Sequence, residues 1–247
     1  MGRKAVQNCI AVLFWLAVWQ IAAALANRSL LIAVPTPVDT VAALCRFVAQ
    51  GSFWLTVGAS LLRITVGFLA ALAVGTACAV ADARWPLFHT LCAPLLALIR
   101  AIPVASFTIL VFLWVSRGSI PSVISFFTVL PIVWVTVSDG IRAVDSGLAE
   151  MARVFGMSGG AILRQITLPE VKPFFRAAVG GGLGFAWKSG VAAEVICRSQ
   201  TSLGNLLWAG KSSVSYDEVF AVTLVIVLLS GALQAVARRI LKGGEGA

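Results

Sequence analysis

Residues 145–175 read DSGLAEMARVFGMSGGAILRQITLPEVKPFF and carry Asp145, Glu150, Arg153, Arg164, Glu170 and Lys172. Nearly everything around them is apolar. Leu148, Met151, Ala152 and Phe155 recur at i, i+3, i+4 and i+7, the apolar stripe of a helix, with Glu150 and Arg153 off its centre. Gly156 follows as a helix stop, because glycine enters the left-handed region without penalty. Ser158 is placed to cap a second short helix that carries Ile162 and Ile166 on one face, and Pro169 is expected to close it. The stretch is thus two short amphipathic helices joined by a bend. Two uses fit it equally: a surface that docks a partner, or a hairpin lying on lipid.

The setting favours a membrane. Of 247 residues, 60% are apolar and 12% charged, and mean hydropathy is +0.97. That charge is too little to cover a soluble domain of this length. Apolar runs predict six spans, at about 10–26, 54–81, 86–116, 119–138, 173–197 and 218–237. Arg100 and Pro103 interrupt the third, which therefore reads as an interfacial helix followed by a span from near Ile102. The paired prolines of VPTPVD, residues 34–39, predict a stiff extended segment.

Orientation follows from the basic residues. One side collects Arg3, Lys4, Arg84, Arg142, Arg153, Arg164, Lys172, Arg176, Arg238, Arg239 and Lys242. The other collects Arg28, Arg46, Arg117, Arg198 and Lys211. Eleven against five puts both termini and the 145–175 stretch in the cytoplasm. The N-terminal run ends in Ala24-Leu25-Ala26 before Asn27 and imitates a cleavable signal, but about 17 apolar residues are long for one, and a retained helix is expected.

The net charge of +9 comes from this asymmetry and not from a basic helix or a basic-aromatic surface, so nucleic acid is not an expected partner. Five cysteines, scattered and without a C-x-x-C pair, read as small packing residues. A single histidine, His89, argues against a histidine metal site. GLGFAWKS, residues 182–189, imitates a phosphate loop, yet Trp187 stands where a Walker A needs glycine and the run lies inside a span. Its glycines, with Gly180 and Gly181, suit close helix contacts or a flexible entry to the span.

Four residues inside or beside spans are candidates for a transport pathway: Lys188, Arg100, Trp187 and Glu194. Intramembrane charge is functional by default. Lys188 and Glu194 project about 120° apart on one helix and do not pair easily with each other. Lys188 reads equally as a counter-charge for an anion or as half of a structural pair. Glu194 reads better as a gate or a helix–helix hydrogen bond. Arg100 reads as a pathway residue or a snorkelling anchor, and Arg63 as a residue snorkelling outward. Trp19, Trp54, Trp85 and Trp208 suit interfacial belts, while Trp187 beside Lys188 suits a pore lining. No nucleophile–base pair or facing carboxylates appear, so catalysis by this chain is not expected.

Glu150-x-Ala152-x-x-x-Gly156, nine residues, then Ile166-x-Leu168-Pro169 resembles the EAA loop of binding-protein-dependent ABC importer permeases. Met151 departs from the usual middle alanine. The blocks LLIAVPTPVDTVAAL, TVGASLLRITVGFLAALAVGTACAV, PLLALIRAIPVASFTILVFLWVSRG, LPIVWVTVSDGIRAVDSGLAE and GFAWKSGVAAEVI with SLGNLLWAG are similar, in order, to those of the nitrate/sulfonate/taurine branch. The resemblance implies an all-α polytopic fold: one permease domain over 1–247, about six transmembrane helices, and a cytoplasmic coupling loop at about 140–172. It also implies an inner-membrane homodimer served by a cytoplasmic ABC ATPase dimer and an extracytoplasmic solute-binding protein. ATP and magnesium belong to the ATPase; this chain binds no cofactor. The cargo is a small solute such as nitrate, a sulfonate, taurine or bicarbonate, or alternatively a neutral or cationic one such as a thiamine pyrimidine precursor. An ion-driven transporter or a membrane-embedded enzyme is the reading from another class.

Overall fold

Small residues on one long helix set the architecture. In α3 (Gly51–Arg84) the buried side carries Gly67, Ala71, Gly75 and Ala79 at four-residue spacing, which lets a second helix approach at backbone distance. That helix is α6 (Ile120–Arg142). A Cβ at Gly67 would stand 2.1 Å from the Ser122 carbonyl oxygen, and one at Gly75 would stand 2.9 Å from Val133 Cβ. Ser122 Oγ donates to the Arg63 carbonyl across the seam at 2.7 Å. The third member of the core is α9 (Leu168–Cys197), whose Gly190 brings Ile64 within 2.6 Å of a would-be Cβ.

The computed structural model describes residues 2–29 and 34–243; the side chains of Arg3, Lys4 and Lys242, counted above for orientation, lie outside the described residues, as does the LLIA of the first family block. Around the three-helix core lie α1 (Gly2–Ser29), α2 (Pro37–Val48), α4 (Pro86–Ala101), α5 (Val104–Val111), α7 (Ser146–Val154), α8 (Gly159–Ile162), α10 (Leu203–Ser212) and α11 (Tyr216–Gly243). Among the described residues there is no strand. α1 exposes most of its apolar side chains, Leu13 and Trp15 among them, and touches the rest through Trp19, which stacks on Phe220 and donates to the Pro35 carbonyl at 3.1 Å. Such a face suits lipid or a partner subunit.

The six expected spans are met in part. Among the described residues four helical stretches are long and apolar enough to cross a bilayer: Cys9–Arg28, Gly51–Arg84, Ile120–Arg142 and Tyr216–Leu241. A fifth exists if α4 and α5 count as one broken span, and their axes meet at 101°. The break falls at Ile102-Pro103, where proline removes a donor and forces its predecessor out of the helical region. The expected span at 173–197 lies within α9, which is not apolar enough by the same measure. Arg176, Lys188, Glu194 and its glycines dilute it. α9 can be less apolar because it lies among α3, α6 and α11, and many of its side chains face protein instead of lipid.

Two local expectations are corrected. Residues 34–39 are not extended throughout, because α2 starts at Pro37. Proline suits the first helical turn, and Thr36 and Asp39 form a reciprocal capping box, with Asp39 N–H donating to Thr36 Oγ1 at 3.2 Å and Thr36 N–H to Asp39 Oδ2 at 3.0 Å. Pro169 likewise does not close the second loop helix. It occupies the first turn of α9, and a π-helical turn at Leu163–Thr167 joins α8 to α9 without a gap.

Candidate functional site

The loop between α6 and α9 is fixed by its own capping. Asp145 Oδ1 accepts from Gly147 N–H at 2.8 Å to start α7, and the Asp145 N–H lies 3.4 Å from Glu170 Oε2 on α9. At the other end Gly156 has φ +77°. Its N–H bonds the Arg153 carbonyl and the Met157 N–H bonds that of Ala152, both at 2.9 Å, the paired bonds of a Schellman stop. A Cβ on Gly156 would meet open space; the backbone angle alone requires glycine. Ser158 Oγ then accepts from Ala161 N–H at 3.3 Å and starts α8.

This capping presents an apolar surface. Of the α7 stripe only Ala152 is buried, at 7% exposure, with Ile162 of α8 beside it in the same class. Leu148, Met151 and Leu163 are exposed, and Val154 and Phe155 stand out at 86% and 79%. Glu150 is exposed next to them, Ile166 is half-buried, and Leu168 and Pro169 are exposed on the way into α9. The loop thus presents exposed apolar side chains on a capped frame, a surface that suits a partner's groove or a lipid face.

The four pathway candidates divide into two pairs. Trp187 is packed in the core and its Nε1–H donates to the Ile226 carbonyl of α11 at 3.0 Å, so in this chain it lines no opening. Glu194 is fully buried. Its Oε2 accepts from Ser60 Oγ at 2.9 Å and from Gly204 N–H at 3.2 Å, while Ser60 Oγ accepts from Leu203 N–H at 2.9 Å. The carboxylate thereby sits at the N-terminus of α10 and ties α3, α9 and α10 together, favoured there by the helix dipole. Arg63 does not snorkel freely; its guanidinium donates to the Thr201 and Gln200 carbonyls at 3.1 and 3.2 Å and holds the loop before α10.

Lys188 and Arg100 are exposed, and neither has a hydrogen bond or ion pair among the described residues. Arg100 is the one charged residue in the wall of a groove of about 540 Å³ between α4, α5 and α6, lined otherwise by Ile102, Phe107, Phe127, Pro131, Ile132 and similar side chains, with Thr128 and Thr136 adding hydroxyls. Phe185 of α9 completes the wall, and Lys188 follows Phe185 by one helical turn on the same exposed stripe. The open face therefore carries two free cations on an apolar bed. Residues 182–189 lie wholly within α9, so no loop exists there to wrap a phosphate.

Gly180 and Gly181 face open space, a Cβ on Gly184 would make an ordinary contact with Gln234 at 3.5 Å, and one on Gly182 would meet Val129 at 3.0 Å, which leaves the close-contact expectation to Gly182.

Sequence reasoning missed one cluster. Asp82 on α3 is buried and takes Ser138 Oγ–H at 2.5 Å and Arg142 Nη2–H at 2.7 Å on Oδ2, with His89 Nδ1 at 2.7 Å from Oδ1. Asp82 and His89 stand seven residues apart, a spacing that one face of a continuous helix would share. Nothing in the sequence pairs them with Arg142, 60 residues later.

The sequence profile described as binding-protein-dependent transport system inner membrane component matches residues 64–242. An ABC transporter permease of Methanocaldococcus jannaschii is 30% identical over 69% of this chain and 64% of its own length, just under two thirds of that relative. The aliphatic sulfonates transport permease of Escherichia coli is 28% identical over 92% of this chain and 85% of its own. The taurine permease of the same organism is 26% identical over 77% and 71%. Among solved structures, a bacterial ABC transporter that imports the acidic polysaccharide alginate superposes with a TM-score of 0.62 at 13% identity, covering 97% of this chain and 94% of that one, which is a likeness of fold.

Proposed function

This chain belongs to the binding-protein-dependent transport system inner membrane component family, as an ABC permease of the nitrate, sulfonate, taurine and bicarbonate branch, and on that premise we propose that it is the membrane subunit of an ATP-driven importer of a small organic anion. It is a transport subunit and not an enzyme. ATP and magnesium are held by a cytoplasmic ATPase dimer, two copies of this chain face each other across the pathway, and an extracytoplasmic binding protein delivers the cargo. Six crossings, with α9 as the fifth, leave both termini and the α7–α8 loop in the cytoplasm.

The observation that carries this reading is the outward apolar stripe of α7. A lipid-surface hairpin would share the stripe. The Schellman stop and two side-chain caps favour a protein groove, since a rigid shape matters for docking and not for lying on lipid. Gly156→Pro and Glu150→Lys should each abolish co-purification of the ATPase while membrane insertion stays normal. Proline cannot adopt the positive φ of residue 156, and the Glu150 exchange reverses charge beside the stripe. Normal subunit stoichiometry and ATP turnover in both variants would refute the coupling assignment.

The cargo's charge is read from Arg100 and Lys188. Unpaired cations near the membrane interior are costly unless an anion, water or a carboxylate offsets them, which argues against a cationic solute. The apolar bed suits an organic body better than nitrate or bicarbonate, in keeping with the sulfonate and taurine carried by two relatives. Arg100→Met and Lys188→Met should each cut uptake about tenfold or more, roughly the loss of one charge-assisted contact, with ATPase assembly intact. Lys188→Arg should cut it less. Reconstituted vesicles holding ATPase and binding protein provide the assay. Parental uptake by both methionine variants would make a neutral cargo, such as a thiamine pyrimidine precursor, the better reading.

A further inference from the structure

We propose that Asp82, Arg142 and His89 form a clasp that fastens the root of the coupling loop to α4, and that cargo release requires the clasp to open. The inference rests on the coupling reading of the 145–168 loop.

The geometry brings three helix ends to one point. Asp82 lies in the last turn of α3, His89 in the first turn of α4, and Arg142 is the final residue of α6, three before the Asp145 cap of α7. The carboxylate is 7% exposed, whereas the His89 and Arg142 side chains are about half exposed. Both carboxylate oxygens are used. Oδ2 receives the Ser138 hydroxyl and the guanidinium, and Oδ1 receives the His89 ring nitrogen at 2.7 Å. A carboxylate has no proton to offer, so Nδ1 carries one at that distance. Arg142 Nη2 also lies 3.1 Å from the same ring nitrogen.

Two features make this a moving part instead of a fixed brace. Ser138 and Asp82 join α3 to α6 along a seam that backbone contact already holds shut. His89 adds α4, which no such seam secures; beside it α4 meets α6 through the Phe88 and Trp134 rings, 5.6 Å apart. Next to the clasp is a cavity of about 200 Å³ whose lining includes Asp82, His89, Arg142, Ser138 and Arg100. Arg100 also lines the larger groove. With Val135 it borders both spaces, so the clasp stands at the loop end of the groove, where its opening would part α4 from α6.

The energetics favour two states over a continuum. Withdrawing Arg142 leaves a buried carboxylate short of its main counter-charge, which is strongly unfavourable. Displacement of the loop pulls on Arg142 first, because only Ala143 and Val144 separate it from the α7 cap. The clasp thus resists small movements and yields to large ones, and an anion beside Arg100 in the shared cavity competes with Asp82 for the Arg142 guanidinium.

The test uses the full importer in vesicles, with ATP hydrolysis and cargo uptake measured on the same sample. Asp82→Asn and Arg142→Gln should keep ATPase co-purification while the uptake gained per ATP hydrolysed falls at least fivefold, and the double variant should match the worse single one. His89→Gln, which leaves the buried pair intact, should show a smaller fall and covers the case in which either buried variant fails to fold. A brace with no part in release would lower thermal stability and leave uptake per ATP unchanged; that outcome in any folded variant of the buried pair, or in His89→Gln should neither fold, overturns the clasp. Should the parent chain not retain an ATPase at all, the coupling reading fails first and takes the clasp with it.

Discussion

Two stripes on this molecule look alike in sequence and end differently. On α3, Gly67, Ala71, Gly75 and Ala79 face α6 and are closed off by the chain itself. On α7, Leu148, Met151 and Phe155 recur with the same helical period and are left exposed by the chain. Side-chain size separates them. Small residues bring backbones together and leave no room for another occupant, whereas large apolar residues on a short capped helix need a groove to enter. Periodicity reveals that a helix has an apolar face; residue volume tells whether this chain covers it.

The sharpest way to break the comparison is to put volume into the closed stripe. Gly67→Val drives a side chain into the Ser122 carbonyl, a backbone atom that cannot rotate aside, and should cost about 3 kcal/mol or more. Little folded protein should survive detergent extraction. Gly58→Val, on the same helix but facing open space, should extract like the parent. Equal yields of the two variants would mean that the α3–α6 seam is not close-packed.

A smaller effect is expected where the interior is polar. Ser60→Ala leaves the Leu203 N–H without its partner and removes one of two bonds to Glu194. Each orphaned group costs about 1–3 kcal/mol, so thermal unfolding in detergent should shift downward by several degrees, with ATPase co-purification unchanged. No shift would place the Glu194 knot outside the stabilising core.

The smallest effect belongs to the α2 cap. The Thr36 hydroxyl first, and then its backbone N–H, hold the fully exposed Asp39 carboxyl below its ordinary range. A folded-state value below the unfolded one contributes stability above the unfolded value and loses it as pH falls through the folded value. Asp39→Ala should therefore speed amide exchange at the start of α2 near neutral pH. The difference from the parent should vanish in strong acid, below both values. A difference that persists in strong acid would assign the effect to something other than the carboxylate.

Much of this was legible from the sequence because one-dimensional signals sufficed. The apolar runs give the α3, α6 and α11 crossings, and Arg100 with Pro103 gives the broken third segment, though not its 101° bend. Gly156 and Ser158 announce the loop's stop and restart. What stayed hidden depends on contacts between distant positions. Lys188 and Trp187 look like a pair in sequence, but consecutive helical positions project about 100° apart, and one turns outward while the other enters the core. Asp82 and Arg142 carry no local signal of their partnership. Pro169 reads as a stop in sequence, yet a first-turn position and a π-helical turn let the helix run on.

The central claim is that the α7 stripe is covered by a partner and not by lipid or by this chain. Replacing Phe155 with aspartate and measuring ATPase co-purified per permease, against the parent in the same membranes, tests it most directly. The fold should be untouched, because the side chain is exposed, and the ratio should fall at least tenfold. An unchanged ratio in a normally inserted Phe155→Asp chain would contradict the account.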